Sequence, residues 1–158
     1  MQVFQVLREA AQRRLAGDAQ GALALLHPLE QTDGDHPFVP FEIGLTLDAM
    51  DLEAQAIPYY ERAIALGLPH EQRCTALLGL GSSLRNAGLA EEAVTVLRDA
   101  AEQFPNHMGL RCFYALAQFD AGESAASVRT LMGAVLDLSP ESVQPFAHGL
   151  RSYADRLE

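Results

Sequence analysis

The chain has 158 residues, enough for one domain and short for two, and its 49% hydrophobic against 20% charged residues give it a core to bury and argue against disorder. A net charge of −10 and a pI near 4.8 repel phosphate backbones and anionic lipid, which disfavours nucleic-acid and membrane partners. All eleven basic residues are arginine, and the absence of lysine excludes Schiff-base, P-loop and kinase-type lysine chemistry.

Alanine and leucine supply 25 and 24 of the residues, which favours helix over sheet. Apolar periodicity predicts helices over 2–16 and 18–31, separated at Gly17. The next pair, 37–50 and 52–66, meets at Asp51, and Pro58 predicts a bend in its second member. Gly67-Leu68-Pro69-His70-Glu71 then leads into a helix over 70–87, and Gly88 turns the chain into 89–104. Pro105 precedes a pair at 107–121 and 123–138, parted by Gly122. After Pro140 a last helix is expected over 141–157, with Pro28, Pro40 and Pro145 marking weaker or kinked stretches.

A repeat underlies this order. In the clearest unit a small residue, Gly81, is followed by Gly88 seven later, Ala93 twelve later and Leu97 sixteen later. The same offsets recur at Ala10, Gly17, Ala22 and Leu26; at Gly44, Asp51, Ala56 and Tyr60; and at Ala115, Gly122, Ser127 and Leu131. The leading residues therefore step by 34, 37 and 34, and the long step coincides with the longer connection at 67–71. Each offset has a physical task. Small residues on paired helices allow close approach, and the residue seven later ends one helix or caps the next. Gly149, 34 after Ala115, puts the last helix in phase as an unpaired cap on the stack.

This pattern resembles the tetratricopeptide repeat superfamily over almost the whole chain. Phe41-Glu42-Ile43-Gly44 through Ile57-Pro58-Tyr59-Tyr60-Glu61-Arg62-Ala63, then Leu66-Gly67-Leu68-Pro69, is similar to the compact bacterial group-5 members. So are Leu78-Gly79-Leu80-Gly81-Ser82-Ser83-Leu84-Arg85-Asn86 and Tyr153-Ala154-Asp155. The first unit departs most, with Glu9 and Arg13 at positions expected to be apolar. The expected fold is all-α: a right-handed α-α superhelix of four helix pairs plus a C-terminal capping helix, forming one domain over 1–158. Its repeats fall at about 3–36, 37–70, 74–107 and 108–140, with the cap at 141–157.

Site chemistry is sparse. Gly79-Leu80-Gly81-Ser82-Ser83 sits in helical periodicity without a flanking lysine, so helix packing explains it better than phosphate binding. Ser82 and Ser83 lack a GxSxG frame, and the five histidines show neither i,i+4 pairing nor HExxH. Thr32-Asp33-Gly34-Asp35-His36 lacks the remaining oxygens of a calcium loop and reads as a solvated turn, with Asp35 as a cap for the third helix. Cys74 and Cys112 read as buried thiols. No catalytic residue, metal or cofactor is expected, and no stretch has the length of a signal peptide core or membrane span, which makes the cytoplasm the default.

In the family, first helices line a concave groove, and side chains near −6, −3, +1, +4 and +5 from the small residue face it. The resemblance thus nominates Phe38, Phe41, Leu45, Asp48, Leu78, Ser82, Arg85, Asn86, Cys112, Leu116 and Phe119 as groove positions, with Arg14 as a second basic group. The lysine–asparagine carboxylate clamp of chaperone-binding members is missing, since Ser82 stands at the asparagine position. The leading expectation is a non-enzymatic module holding an apolar or helical protein segment, with a self-associating homodimer as the alternative.

Overall fold

A computed structural model describes residues 2–157. Among these residues there are nine α-helices and one 3-10 turn, with no strand. In order they are α1 (Gln2–Leu15), α2 (Ala19–Asp33), α3 (Phe38–Asp48), α4 (Glu53–Leu66), α5 (His70–Asn86), α6 (Ala90–Gln103), α7 (Met108–Asp120), α8 (Ser124–Leu138), the 3-10 turn (Gln144–Phe146) and α9 (Ala147–Ala154). The first eight lie within a few residues of the expected ranges. The last does not. Pro145 has no N–H to bond back to residue 141 and its ring crowds that turn, so a 3-10 turn forms there and regular helix begins only at Ala147.

The turn positions of the repeat show why they were spaced as they are. Gly17, Asp51, Gly88 and Gly122 all take positive φ, at 86, 57, 81 and 84°. Three are glycine, which enters that region freely, and Asp51 is one of the few side chains that tolerates it. Asp51 does not cap α4, whose cap residue is Leu52 and makes no side-chain bond. Asp35 does not cap α3 either: Pro37 stands there, and Asp35 accepts from Arg62 at 3.3 Å. Caps are found where Asp18 accepts from Gly21 N–H at 2.9 Å and His107 Nδ1 from Leu110 N–H at 3.1 Å. α2 and α4 continue through Pro28 and Pro58.

The chain divides into two compact units, Met1–Ala87 and Gly88–Glu158, the boundary falling at the turn inside the third repeat. In the first unit α1 packs on α2, α2 on α3, α3 on α4 and α4 on α5, while α3 also meets α1 and α5. Tyr60 lies at its centre, fully buried. A Cβ placed on Gly44 would stand 3.1 Å from the Tyr60 ring, and one on Gly79 only 2.6 Å from Cζ. Glycine on α3 and on α5 is thus what lets both helices close on that ring.

In the second unit α6 packs on α7, α7 on α8, and α9 on α8. Ser127 Oγ donates to the Ala115 carbonyl at 2.7 Å, and Thr130 Oγ1 donates to Gln118 Oε1 at 2.7 Å. Both bonds span twelve residues, as does Tyr60 Oη to Asp48 Oδ2 in the first unit at 3.2 Å. The twelve-residue offset read from the sequence is the register at which paired helices touch.

Candidate partner-binding site

Phe4 and Leu7, six and three residues before Ala10, share a cleft of about 320 Å³ with Phe38 and Phe41, six and three before Gly44. Arg8, Glu42 and Gln72 complete its lining. The rings meet edge to face: Phe4 and Phe38 have centroids 6.3 Å apart at 61°, and Phe38 and Phe41 6.3 Å apart at 80°. His36 joins them, 5.0 Å from Phe4, with its Nδ1 buried and without a hydrogen-bond partner. Phe4 is half exposed and Phe41 buried, so the first offers contact area while the second forms a wall. Offsets −6 and −3 applied to the first repeat point to Phe4 and Leu7, so the period carries the signal for them although the nominated set begins only at the second repeat.

Glu42 is a buried carboxylate on the cleft, which the sequence reading misses. Its Oε1 accepts from Arg14 Nε at 2.7 Å, and both side chains are largely buried. Burial pushes the Glu42 carboxyl up from its ordinary value, and Arg14 pulls it partly back. Arg14 is therefore committed to Glu42 rather than standing as a groove cation. Asp48 is likewise engaged, accepting from Tyr60 and, through Oδ1, from Ser83 Oγ at 3.2 Å.

Of the other nominated residues, Phe38, Leu45, Leu78, Ser82 and Arg85 are half-buried on α3 and α5. Asn86 is exposed, and its Nδ2 donates to Glu53 Oε1 at 3.2 Å. In the second unit Leu116 and Phe119 lie a turn apart on α7, and Phe119 is 62% exposed. Cys74 is buried, but Cys112 is exposed, against the expectation of two buried thiols: it lies beside Leu116 on the open side of α7. A second cleft, about 450 Å³, runs along α6, α7 and α8 and includes Arg98, Glu102, Arg111, Tyr114 and Asp137. Its arginines are already paired, Arg111 with Asp137 at 2.6 Å and Arg98 with Asp99 at 3.1 Å. No group of three histidine, cysteine, aspartate or glutamate side chains is placed to hold a metal among the described residues.

Comparison with protein families matches residues 37–157 to the Tetratrico peptide repeat. The chain belongs to the tetratricopeptide repeat family. The match begins at the second repeat, and the first, whose Glu9 and Arg13 depart from the apolar pattern, folds as a helix pair all the same, with those two side chains ion-paired at 3.2 Å. Among solved structures the chain is similar to a MamA RS-1 double mutant, with 20% identity, 96% of this chain and 82% of that one covered, and a TM-score of 0.72. It is similar to YrrB, described as a TPR protein with an unusual peptide-binding site, with 17% identity, 97% and 78% covered, and a TM-score of 0.73. MamA from residue 41 to its end, from Desulfovibrio magneticus RS-1, matches with 20% identity, 96% and 82% covered, and a TM-score of 0.72. Against proteins of curated function there is no match. The fold is thus an all-α tetratricopeptide repeat fold, of a family whose members are typically non-enzymatic and bind proteins or peptides. No helix among the described residues is long and apolar enough to cross a membrane.

Proposed function

We propose that this tetratricopeptide protein is a non-enzymatic, cytoplasmic bacterial adaptor that holds an apolar or helical segment of a partner protein against its first helices. The observation that carries the reading is the cleft between α1 and α3, where three phenylalanines surround an opening with only Arg8 and Glu42 charged, and Glu42 is already paired. A large apolar side chain entering that opening would meet aromatic edges and lose water from the face turned to them. In the second unit Leu116 and Phe119 are exposed apolar side chains on a first helix, α7, and form a candidate contact of their own. The peptide-binding site described for YrrB lends support by analogy of fold.

With so few charges at the cleft, contact is apolar and resists salt, and an acidic partner would meet a chain already at −10. Nucleic acid, membrane and cofactor play no part in this reading. Photo-crosslinking in the native cell tests it: a crosslinkable residue in place of Phe38 or Phe119 should trap a discrete protein, and one in place of exposed Glu61 on α4 should not. Trapping from Glu61 alone would refute the first-helix site. Self-association is the second reading, and the exposed apolar face of α8 is the observation that favours it.

A further inference from the structure

The large residue sixteen places after each leading small residue has one environment in three repeats and another in the fourth. Leu26, Tyr60 and Leu97 are completely buried, whereas Leu131 is 39% exposed. In the first unit the following first helix covers this position, as α5 covers Tyr60 through Gly79. After α8 the cover is incomplete, because Pro140 and Pro145 delay the next helix and leave α9 only eight residues long. Val143 and Leu150 reach part of α8 and border, with Leu131, Met132, Val135 and Leu136, a cleft of about 210 Å³. Beyond it Val128, Leu131, Val135 and Leu138 are 46, 39, 45 and 64% exposed, spaced three, four and three residues apart on one face of about three turns.

That face carries no charge on a chain of net −10. The two ionic residues of α8 are used elsewhere: Arg129 donates to the Leu157 carbonyl at 2.6 Å, and Asp137 accepts from Arg111. We propose that α8 is a self-association surface, occupied by α8 of a second copy running antiparallel in a two-fold dimer. The three–four–three spacing reads the same in both directions, so Val128 would meet the partner's Leu138, and Leu131 the partner's Val135. This is the self-complementarity an isologous contact requires. Charge favours the same place, since an uncharged face spares two acidic chains local like-charge repulsion at the contact.

The area agrees with a reversible dimer. The four side chains expose roughly 300 Å² of apolar surface per copy, within the size of the largest patch on a typical protein, which is often functional. Ser124, Met132, Ser139 and the flank of α9 would extend the contact, which belongs with the small, reversible class of interface. This surface shares no residue with the first-helix cleft and stands whether or not that cleft binds a partner.

Sedimentation equilibrium of the full chain over roughly 1–200 μM tests the proposal, a range matched to weak interfaces of this size. The wild type is expected to dimerise reversibly within the range. Val135→Glu with Leu138→Glu should weaken the dimer at least tenfold while leaving the helical circular dichroism signal unchanged, because both positions are exposed. If that variant loses helix, Val128→Ser with Leu138→Ser decides by the same measurement. Three results overturn the proposal: a monomer at every concentration, a dimer as tight in the variants as in the wild type, or a dimer lost on Phe119→Ala instead. A monomer that crosslinks through α8 to a different protein also overturns it, and assigns the face to that protein.

Discussion

Tyr60 shows at the scale of one residue how close packing and polarity are reconciled. Its ring is enclosed by glycines on α3 and α5, and its hydroxyl donates to Asp48, which also accepts from Ser83. Alanine gains up to about 1 kcal/mol of helix propensity over glycine, but a methyl pressed 2.6 Å from Cζ costs about 1–3 kcal/mol of overpacking. Gly79→Ala is therefore expected to lower the stability measured by urea denaturation, and Gly44→Ala, with 3.1 Å of room, to lower it less. The reverse order would mean that Tyr60 is not the fixed point of the packing. Asp48 gives the same cluster a pH dependence. Burial raises its carboxyl above the ordinary value of 3.8, and the hydrogen bonds from Tyr60 and Ser83 reverse this only in part. A carboxyl with a higher pKa folded than unfolded adds stability that is complete below the ordinary value and is lost as pH rises through the raised one. The wild type should therefore gain on Asp48→Asn as pH falls from 7 toward 4. Thermal midpoints of the two proteins at a constant separation across that range would contradict the assignment.

Among the elements, the pair Arg14–Glu42 joins α1 to α3, and the paired turns join each helix to the next. Arg14→Met would leave Glu42 buried without its partner, at a cost of about 3 kcal/mol, and Arg14→Met with Glu42→Met should recover much of it. An effect below about 1 kcal/mol, as for an exposed ion pair, would show that the carboxylate finds water instead. Asp51 holds the only non-glycine left-handed turn of the four repeat positions, and Asp51→Gly should stabilise the protein by about 0.5–1 kcal/mol in the same denaturation assay. A loss of stability would indicate a contact of the Asp51 side chain that outweighs its backbone strain. These elements also mark what the sequence could disclose. Offsets of seven and twelve were legible because each has a local cause, a left-handed turn or a touching pair of helices. The Arg14–Glu42 pair was not, because its members lie 28 residues apart and Glu42 sits in the apolar run Val39-Pro40-Phe41-Glu42-Ile43. The division of the last helix was legible in Pro145, whose effect depends on a position within the turn that periodicity does not specify. The exposure of Cys112 depends on which side of α7 remains uncovered, and residue type alone does not fix that.

At the scale of the molecule, a tetratricopeptide fold, of a family that binds proteins or peptides, directs attention to its surfaces. The two surfaces differ in kind: an aromatic cleft on first helices suits an inserted side chain, while the flat stripe of α8 suits another helix. They share no residue, so the proposed partner binding and self-association can be altered independently, Phe38 and Phe119 for the first, Val135 and Leu138 for the second. The proposed adaptor function depends on the first. Once a partner has been trapped at Phe38 or Phe119 and its segment prepared, the direct measurement is calorimetric titration of that segment into the wild type and into Phe38→Ala, Leu78→Ala and Phe119→Ala, at low and high salt. Apolar capture by the first helices predicts a loss above roughly 1 kcal/mol for at least one variant and little difference between the two salts. Wild-type affinity in all three variants, or binding abolished by salt alone, would contradict it.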